Sequence, residues 1–163
     1  GFGEIAQKTA ALARSFNMEI MAFDPFLDKK SSAWNNVKNV DLEKLLKGSD
    51  VISIHTPLSE STRHLINSTN LNFMKKTAVI INAARGGVID DKALSEKLRK
   101  DEIKGAALDV FETEPMNVNS GSYFHGLKNV ILTPHIAGVT EESNVNVSAM
   151  IADKIDQHLS SSI

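Results

Sequence analysis

Four short apolar runs in this chain each end abruptly in a polar cluster. Met21-Ala22-Phe23 ends at Asp24. Val51-Ile52-Ser53-Ile54 ends at His55-Thr56-Pro57. Ala78-Val79-Ile80-Ile81 ends at Asn82-Ala83-Ala84-Arg85-Gly86-Gly87, and Val130-Ile131-Leu132 at Thr133-Pro134-His135. Short β-branched runs without polar alternation read as strands covered on both faces, the mark of a parallel sheet. Open sheets of this kind bind ligands just beyond the carboxyl ends of their strands. Polar residues far apart in sequence are therefore expected to meet along one edge.

The segments between the runs carry helical signals. Ile5, Leu12 and Phe16 share one face of a helix over residues 4–16. Glu19 to Phe23 reads as a strand. Asp41 caps a helix with Leu42, Leu45 and Leu46, stopped by Gly48. A short helix is expected at residues 69–75. Asp90 caps another, with Leu94 and Leu98 on one face and Lys97, Arg99 and Lys100 near its end, where cations suit the macrodipole. Ile103 to Val110 reads as a strand and residues 115–128 as an irregular loop. A last helix starts near Thr140, with Val147, Ile151, Ile155 and Leu159 in register, and Ser160 to Ser162 read as a frayed end. Strands alternating with helices give a doubly wound, mostly parallel α/β sheet.

The 163 residues suffice for one domain with its own core, and 42% apolar with 23% charged residues is an ordinary globular composition. A net charge of −2 without clustered cations argues against nucleic acid as a partner. No apolar stretch is long enough for a membrane span, so no membrane partner is expected. With no Cys, disulfides and thiolate chemistry are excluded, and a reduced, cytoplasmic setting fits. No metal site is expected.

Gly1-x-Gly3-x-x-Ala6 leads into a helix, with an acid, Asp24, about 20 residues on, and this matches the dinucleotide fingerprint. The first glycine makes the tight turn. The second lets the backbone approach a pyrophosphate at the helix N-terminus. Asp24 is expected to accept hydrogen bonds from ribose hydroxyls and to repel a 2′-phosphate, which favours NAD over NADP. The motif normally follows a strand, and no residues precede Gly1 here. The expected sheet therefore lacks its first strand.

Arg85 stands at a strand's carboxyl edge before two permissive glycines, where a planar guanidinium can hold a carboxylate in a bidentate pair. His135 ends another strand and is the candidate general acid/base. His55, also at a strand end, is a candidate for the cofactor cleft. His64, His125 and His158 read as solvated. Glu112 and Glu114 could each pair with His135, and spacing alone does not choose between them. A carboxylate beside an imidazole stabilises its protonated form.

These motifs resemble the nicotinamide-binding domain of the D-isomer-specific 2-hydroxyacid dehydrogenases, most of all the phosphoglycerate dehydrogenase branch. The resemblance rests on GFGEIA, VISIHTPLSESTRHLIN, NAARGGVIDDKAL, GAALDVFETEP and NVILTPHIAG, in that order. It implies Arg85, Glu114 and His135 as the catalytic set. It implies cofactor contacts at Gly1, Gly3, the backbone of Glu4 and Ile5, Asp24, Thr56, Ala83, Ala84, Arg85, Asp109, His135, Ala137 and Gly138. Asp109 would orient the nicotinamide carboxamide. The implied reaction is hydride transfer between NAD(H) and a D-2-hydroxy or 2-oxo acid, with 3-phosphoglycerate among the candidates. Residues 1–163 would then be the NAD-binding domain of a larger enzyme, homodimeric when full-length, whose substrate domain lies outside this sequence. Alone, the chain would be inactive. The alternatives are a glyoxylate/hydroxypyruvate reductase, a D-lactate dehydrogenase, or an NAD(H)-sensing corepressor-like binding protein.

Overall fold

A computed structural model of the chain describes residues 1–160. Helix α1 spans Glu4–Ser15 and leads to strand β1 (Met21–Ala22), which pairs in parallel with β2 (Lys38–Asn39). Helix α2 (Leu42–Gly48) is followed by β3 (Val51–Ile54), a 3-10 turn at Asn70–Phe73, and β4 (Val79–Asn82). Helix α3 (Asp91–Arg99) precedes β5 (Gly105–Leu108). The short α4 (Val118–Gly121), β6 (Val130–Leu132) and the long α5 (Glu141–Ser160) complete the order. Strands β3-β4-β5-β6 form a four-stranded parallel sheet.

Local chemistry sets the helix starts. The carboxylate of Asp41 accepts from the backbone N of Lys44, and that of Asp90 from the backbone N of Ala93. Each satisfies an amide that a helix start would otherwise leave without a partner. On one sheet face, Leu46, Leu71, Leu94 and Leu98 are buried with Ile52, Ile54, Ile80 and Leu108. Residues 64–66 run beside residues 87–90. His64 N donates to Gly87 O at 2.8 Å, Ile66 N to Val88 O at 3.1 Å, and Asp90 N to Ile66 O at 2.9 Å. A smaller core holds Phe2, Ala6, Ala10 and Ala22, with Phe2 stacked on Trp34 at 5.3 Å between ring centroids.

Several expectations need correction. The sheet is not covered on both faces: Val51, Ser53 and Ile131 are exposed, and burial alternates along β3. The large apolar residues of α1 are not its packing face. Ile5 and Leu12 are 72% and 69% exposed, as is Phe16 just beyond the helix at 79%, while Ala6 and Ala10 are buried. Alanines there let the helix lie close to Phe2 and Ala22, which bulkier side chains would prevent. The stripe Val147, Ile151, Ile155 and Leu159 is likewise exposed, since α5 buries none of its residues. Residues 115–128 are not wholly irregular, because Asn117 and Ser120 form a capping box that starts α4. Ser160 closes α5, and the frayed end expected at Ser161 and Ser162 lies outside the described residues.

Between β1 and β3 lies a cleft of about 560 Å³, lined by Ala6, Ala10, Ala13, Met21, Val51 and Ser53 among others. Gly1 sits at its carboxyl end, where its amino group donates to Phe23 O at 2.9 Å. An added side chain at Gly1 would meet His55 O at 2.5 Å. Gly1 thus lies between the ends of β1 and β3.

One buried acid makes the fold pH-sensitive. Asp91 is 5% exposed, and burial pushes its carboxyl up to about 6 from an ordinary 3.8, although the amide of Glu112 pulls the other way. The native state therefore holds this proton more tightly than the unfolded chain does. This group's contribution to stability is full below about pH 4, falls as pH rises, and is lost above about pH 6. Asp91→Asn removes that dependence. The melting temperature of the variant minus that of the parent should rise by several degrees between pH 4 and 7. A difference that stays flat across this range in thermal denaturation would contradict the shifted carboxyl.

Candidate active site

The register brings the strand ends level. Ile54, Asn82, Leu108 and Leu132 are neighbours across the sheet, so His55, Ala83, Asp109 and Thr133 begin the loops along one edge. That edge collects most of the residues singled out from the sequence.

The first group surrounds the glycine turn. A cavity of about 460 Å³ is lined by Gly3, Glu4, Ile5, His55, Thr56, Ala83, Ala84 and Arg85, among others. It opens at the N-terminus of α1, where Gly3 is the cap residue and no side chain caps the helix. An added Cβ at Gly3 would meet nothing within 4 Å, so this cradle is open at the backbone. The carboxylate of Glu4 turns along the helix to Lys8 Nζ at 2.8 Å, in the exposed layer. Helix amides, a positive macrodipole end and an open backbone fit a diphosphate. His55 Nε2 lies 2.9 Å from Ser53 Oγ, and burial, aided by the nearby amino terminus, pulls its imidazole below its ordinary value.

Asp24 lines a separate cavity with Lys29, Asn39 and Lys44. Its Oδ2 accepts from Phe2 N at 2.7 Å, and its Oδ1 from Phe26 N at 2.9 Å and Leu27 N at 3.1 Å. Burial pushes this carboxyl up, but the three amides outweigh it and hold it below the usual range. Asp24 therefore ties the glycine turn to the end of β1, a role the sequence reading did not include.

Arg85 is exposed, and its Nη1 donates to Ala84 O at 2.6 Å. The turn that carries it is shaped by Asn82, a buried side chain. Its Oδ1 accepts from Ala84 N at 3.0 Å, and its Nδ2 donates to Arg85 O at 3.0 Å. Asn82, the last residue of β4, was visible in the sequence as the first polar residue after an apolar run, but nothing there marked its role.

The last group is the acid/base pair. His135 Nδ1 lies 2.7 Å from Glu114 Oε2, while Glu114 Oε1 accepts from Phe111 N at 2.8 Å. The structure thus pairs Glu114, not Glu112, with His135. Burial pushes the Glu114 carboxyl up, yet the bonds from His135 and Phe111 prevail and hold it below its ordinary value. His135 has φ 56, in the left-handed region, which costs a non-glycine residue about 1 kcal/mol or more. Asp109, 5% exposed, holds the loop around it. Its Oδ1 accepts from Ile136 N at 2.9 Å and from Thr133 Oγ1 at 2.5 Å, and its Oδ2 from Ala137 N at 2.9 Å. Burial would raise this carboxyl too, but these donors hold it low. Both Asp109 oxygens are thus engaged with the 133–137 loop. Gly138 is exposed on the same loop. Of the remaining histidines, His64 is not simply solvated, because its Nε2 pairs with Glu112 Oε1 at 2.5 Å.

Arg85 and the Glu114–His135 pair line different cavities. They are joined through backbone. A Cβ on Gly86 would fall 1.7 Å from Phe111 O, so the turn after Arg85 lies directly against the loop that carries Glu114. Only glycine permits that approach.

Residues 1–137 match the family model described as D-isomer specific 2-hydroxyacid dehydrogenase, NAD binding domain. Over 98% of its length the chain is 44% identical to (S)-sulfolactate dehydrogenase of Chromohalobacter salexigens and 43% identical to hydroxypyruvate reductase of Thermotoga maritima. It covers 51% of each. It is 41% identical to D-3-phosphoglycerate dehydrogenase of Methanocaldococcus jannaschii, again over 98% of the chain and across 30% of that protein. The chain thus spans about half the length of the first two relatives. Among solved structures, D-lactate dehydrogenase of Aquifex aeolicus, complexed with NAD and lactic acid, matches with a TM-score of 0.85 and 30% identity. That match covers 99% of this chain and 52% of that one. An acyclic imino acid reductase in complex with NADPH and D-Arg matches with a TM-score of 0.86 and 32% identity, covering 99% and 50%.

The Gly86 contact yields a direct test. Gly86→Ala should destabilise the chain by about 1–3 kcal/mol through overpacking against Phe111. Denaturant titration measures this, and a variant as stable as the parent would mean that the two loops do not touch.

Proposed function

This chain belongs to the D-isomer specific 2-hydroxyacid dehydrogenase family, and on that premise we propose that it is the NAD-binding domain of an enzyme interconverting a D-2-hydroxy acid and its 2-oxo acid. The observation that carries this reading is the 2.7 Å hydrogen bond between Glu114 and His135, at the same sheet edge as the open glycine turn. A carboxylate-held imidazole is what proton transfer at a carbonyl oxygen needs, and the helix N-terminus is what a dinucleotide needs.

The residues have distinct roles. The amides of Glu4 and Ile5 would hold the pyrophosphate of NAD, with Gly3 leaving the backbone open to it. Gly1 supports the turn, and Asp24 faces the adenosine ribose. Thr56, Ala83, Ala84, Asp109, Ala137 and Gly138 form or support the rest of the cofactor cleft. When bound, NAD(H) supplies or takes up the hydride at C2. In the reductive direction Nε2 of His135 gives a proton to the ketone oxygen. The negative charge of Glu114 stabilises the imidazolium and fixes the ring through Nδ1. The guanidinium of Arg85 binds the substrate carboxylate in a bidentate pair and polarises the carbonyl beside it.

The substrate is defined by its carboxylate and C2 oxygen, the groups that Arg85 and His135 address. A second domain completes the substrate pocket, in keeping with the half-length coverage of relatives. We place the complete enzyme in the cytoplasm as a homodimer, as the family likeness suggests. Among the described residues no helix is long and apolar enough to cross a membrane.

In the complete enzyme, His135→Asn and Arg85→Ala should each lower kcat/KM for the oxo acid by about a hundredfold or more while NADH binding stays within a few-fold. Near-normal turnover in either variant removes that residue from the site. Calorimetric titration should show NADH binding more tightly than NADPH, with Asp24→Ala narrowing the gap. Equal affinity of the parent for both would end the assignment of Asp24 as the selector.

A further inference from the structure

Outside the residues assigned so far, one titratable cluster spans two parts of the site. His64 lies on the segment that pairs with the chain leaving Arg85. Its backbone N donates to Gly87 O at 2.8 Å, two residues beyond the arginine. Its imidazole reaches the other way, to Glu112 at 2.5 Å, two residues before Glu114. The same Glu112 is held by its backbone N, which donates to Asp91 Oδ2 at 2.9 Å in the first turn of α3. Phe111, between Glu112 and β5, touches both the Gly86 backbone and the Glu114 carboxylate. Residue 64 thus grips the arginine's turn with its main chain and the glutamate's loop with its side chain.

His64 also has a left-handed backbone, with φ 50. That conformation is unfavourable for histidine unless the surroundings enforce it. Here the Gly87 carbonyl holds its amide, and Asn67 Nδ2 donates to its carbonyl at 3.1 Å. The geometry fixes the direction of the ring toward Glu112. With side chains 39% and 26% exposed, the pair adds little to stability, because water screens it. Its effect is on position. The Gly86–Phe111 contact and the bonds from Asp109 N to Asn82 O and from Glu112 N to Asp91 also tie this loop to its surroundings, but all of them hold backbone, and the His64–Glu112 contact adds a side-chain tie to the segment beside Gly87.

We propose that the His64–Glu112 pair is a positioning device that sets the Glu114–His135 acid/base pair relative to the carboxylate-binding Arg85. It rests on the dehydrogenase reading above and adds two residues that touch neither substrate nor cofactor. An offset of about 1 Å between acid and carboxylate clamp is enough to cost a large factor in rate.

The test uses the complete enzyme with NADH and its oxo acid. Glu112→Ala removes the side-chain contact without disturbing the strained backbone at residue 64. It should lower kcat about tenfold, leave the melting temperature within a few degrees, and leave the dissociation constant for NADH within twofold. Glu112→Gln keeps an acceptor for the imidazole and should restore kcat to within about threefold of the parent. If Glu112→Ala does not fold, His64→Asn breaks the same contact, since asparagine tolerates the left-handed conformation but is too short to reach residue 112; it should give the same loss of kcat. A kcat within twofold of the parent in these variants, with His135→Asn inactive, overturns the positioning role and leaves the dehydrogenase reading standing. So does a loss that tracks melting temperature and NADH affinity and is not rescued by glutamine, since that marks a merely structural contact. Turnover that survives His135→Asn overturns both readings together.

Discussion

The parallel register of the four-stranded sheet is the constraint on which the site depends. Because Ile54, Asn82, Leu108 and Leu132 stand level, four loops start from one line and run in one direction. Backbone hydrogen bonds hold that line, and the buried residues Ile52, Ile54, Ile80, Ala106 and Leu108 select it, since a slip of one residue would turn them out of the core. What the loops then do is decided by a few buried polar groups. Asn82 folds the loop after β4 on itself, and Asp109 reaches from the end of β5 to hold the loop after β6. Each group would be costly if left without partners, so each imposes one loop shape. The exposed groups that could do chemistry, Arg85 and His135, sit on loops organised by buried neighbours.

The acids of this region show how the balance is struck. At Asp24, Asp109 and Glu114, burial opposes charge, and hydrogen-bond donors more than offset it. At Asp91 a single amide donor is not enough, and burial prevails. The difference lies in the number of donors each carboxylate meets. Three of these four acids therefore stay charged at neutral pH as fixed negative points along the sheet edge, and the fourth has its carboxyl moved toward neutrality at the start of α3.

Much of this was legible in the sequence because it rests on local rules. Strand ends followed the apolar runs, and Asp41 and Asp90 capped the helices they precede, since a capping acid acts only a few residues away. The packing face of α1 was not legible. Periodicity points to Ile5, Leu12 and Phe16, whereas the packed neighbours Phe2 and Ala22 select the small residues Ala6 and Ala10. The choice between Glu112 and Glu114 could not be read from spacing either. It depends on the amide of Phe111 folding the Glu114 side chain back toward His135. The bond of Glu112 to His64 joins residues 48 apart and leaves no trace in any local pattern.

The cleft between β1 and β3 has a consequence for what can occupy it. Among the described residues, strand β3 has a ladder partner on one side only, and β1 likewise. Each presents a row of amides and carbonyls to the same space, over a floor of alanines. Two such edges facing one another form a template that favours any extended chain running in the parallel sense. An extended segment there would pair on both sides and join the two-stranded and four-stranded sheets into one.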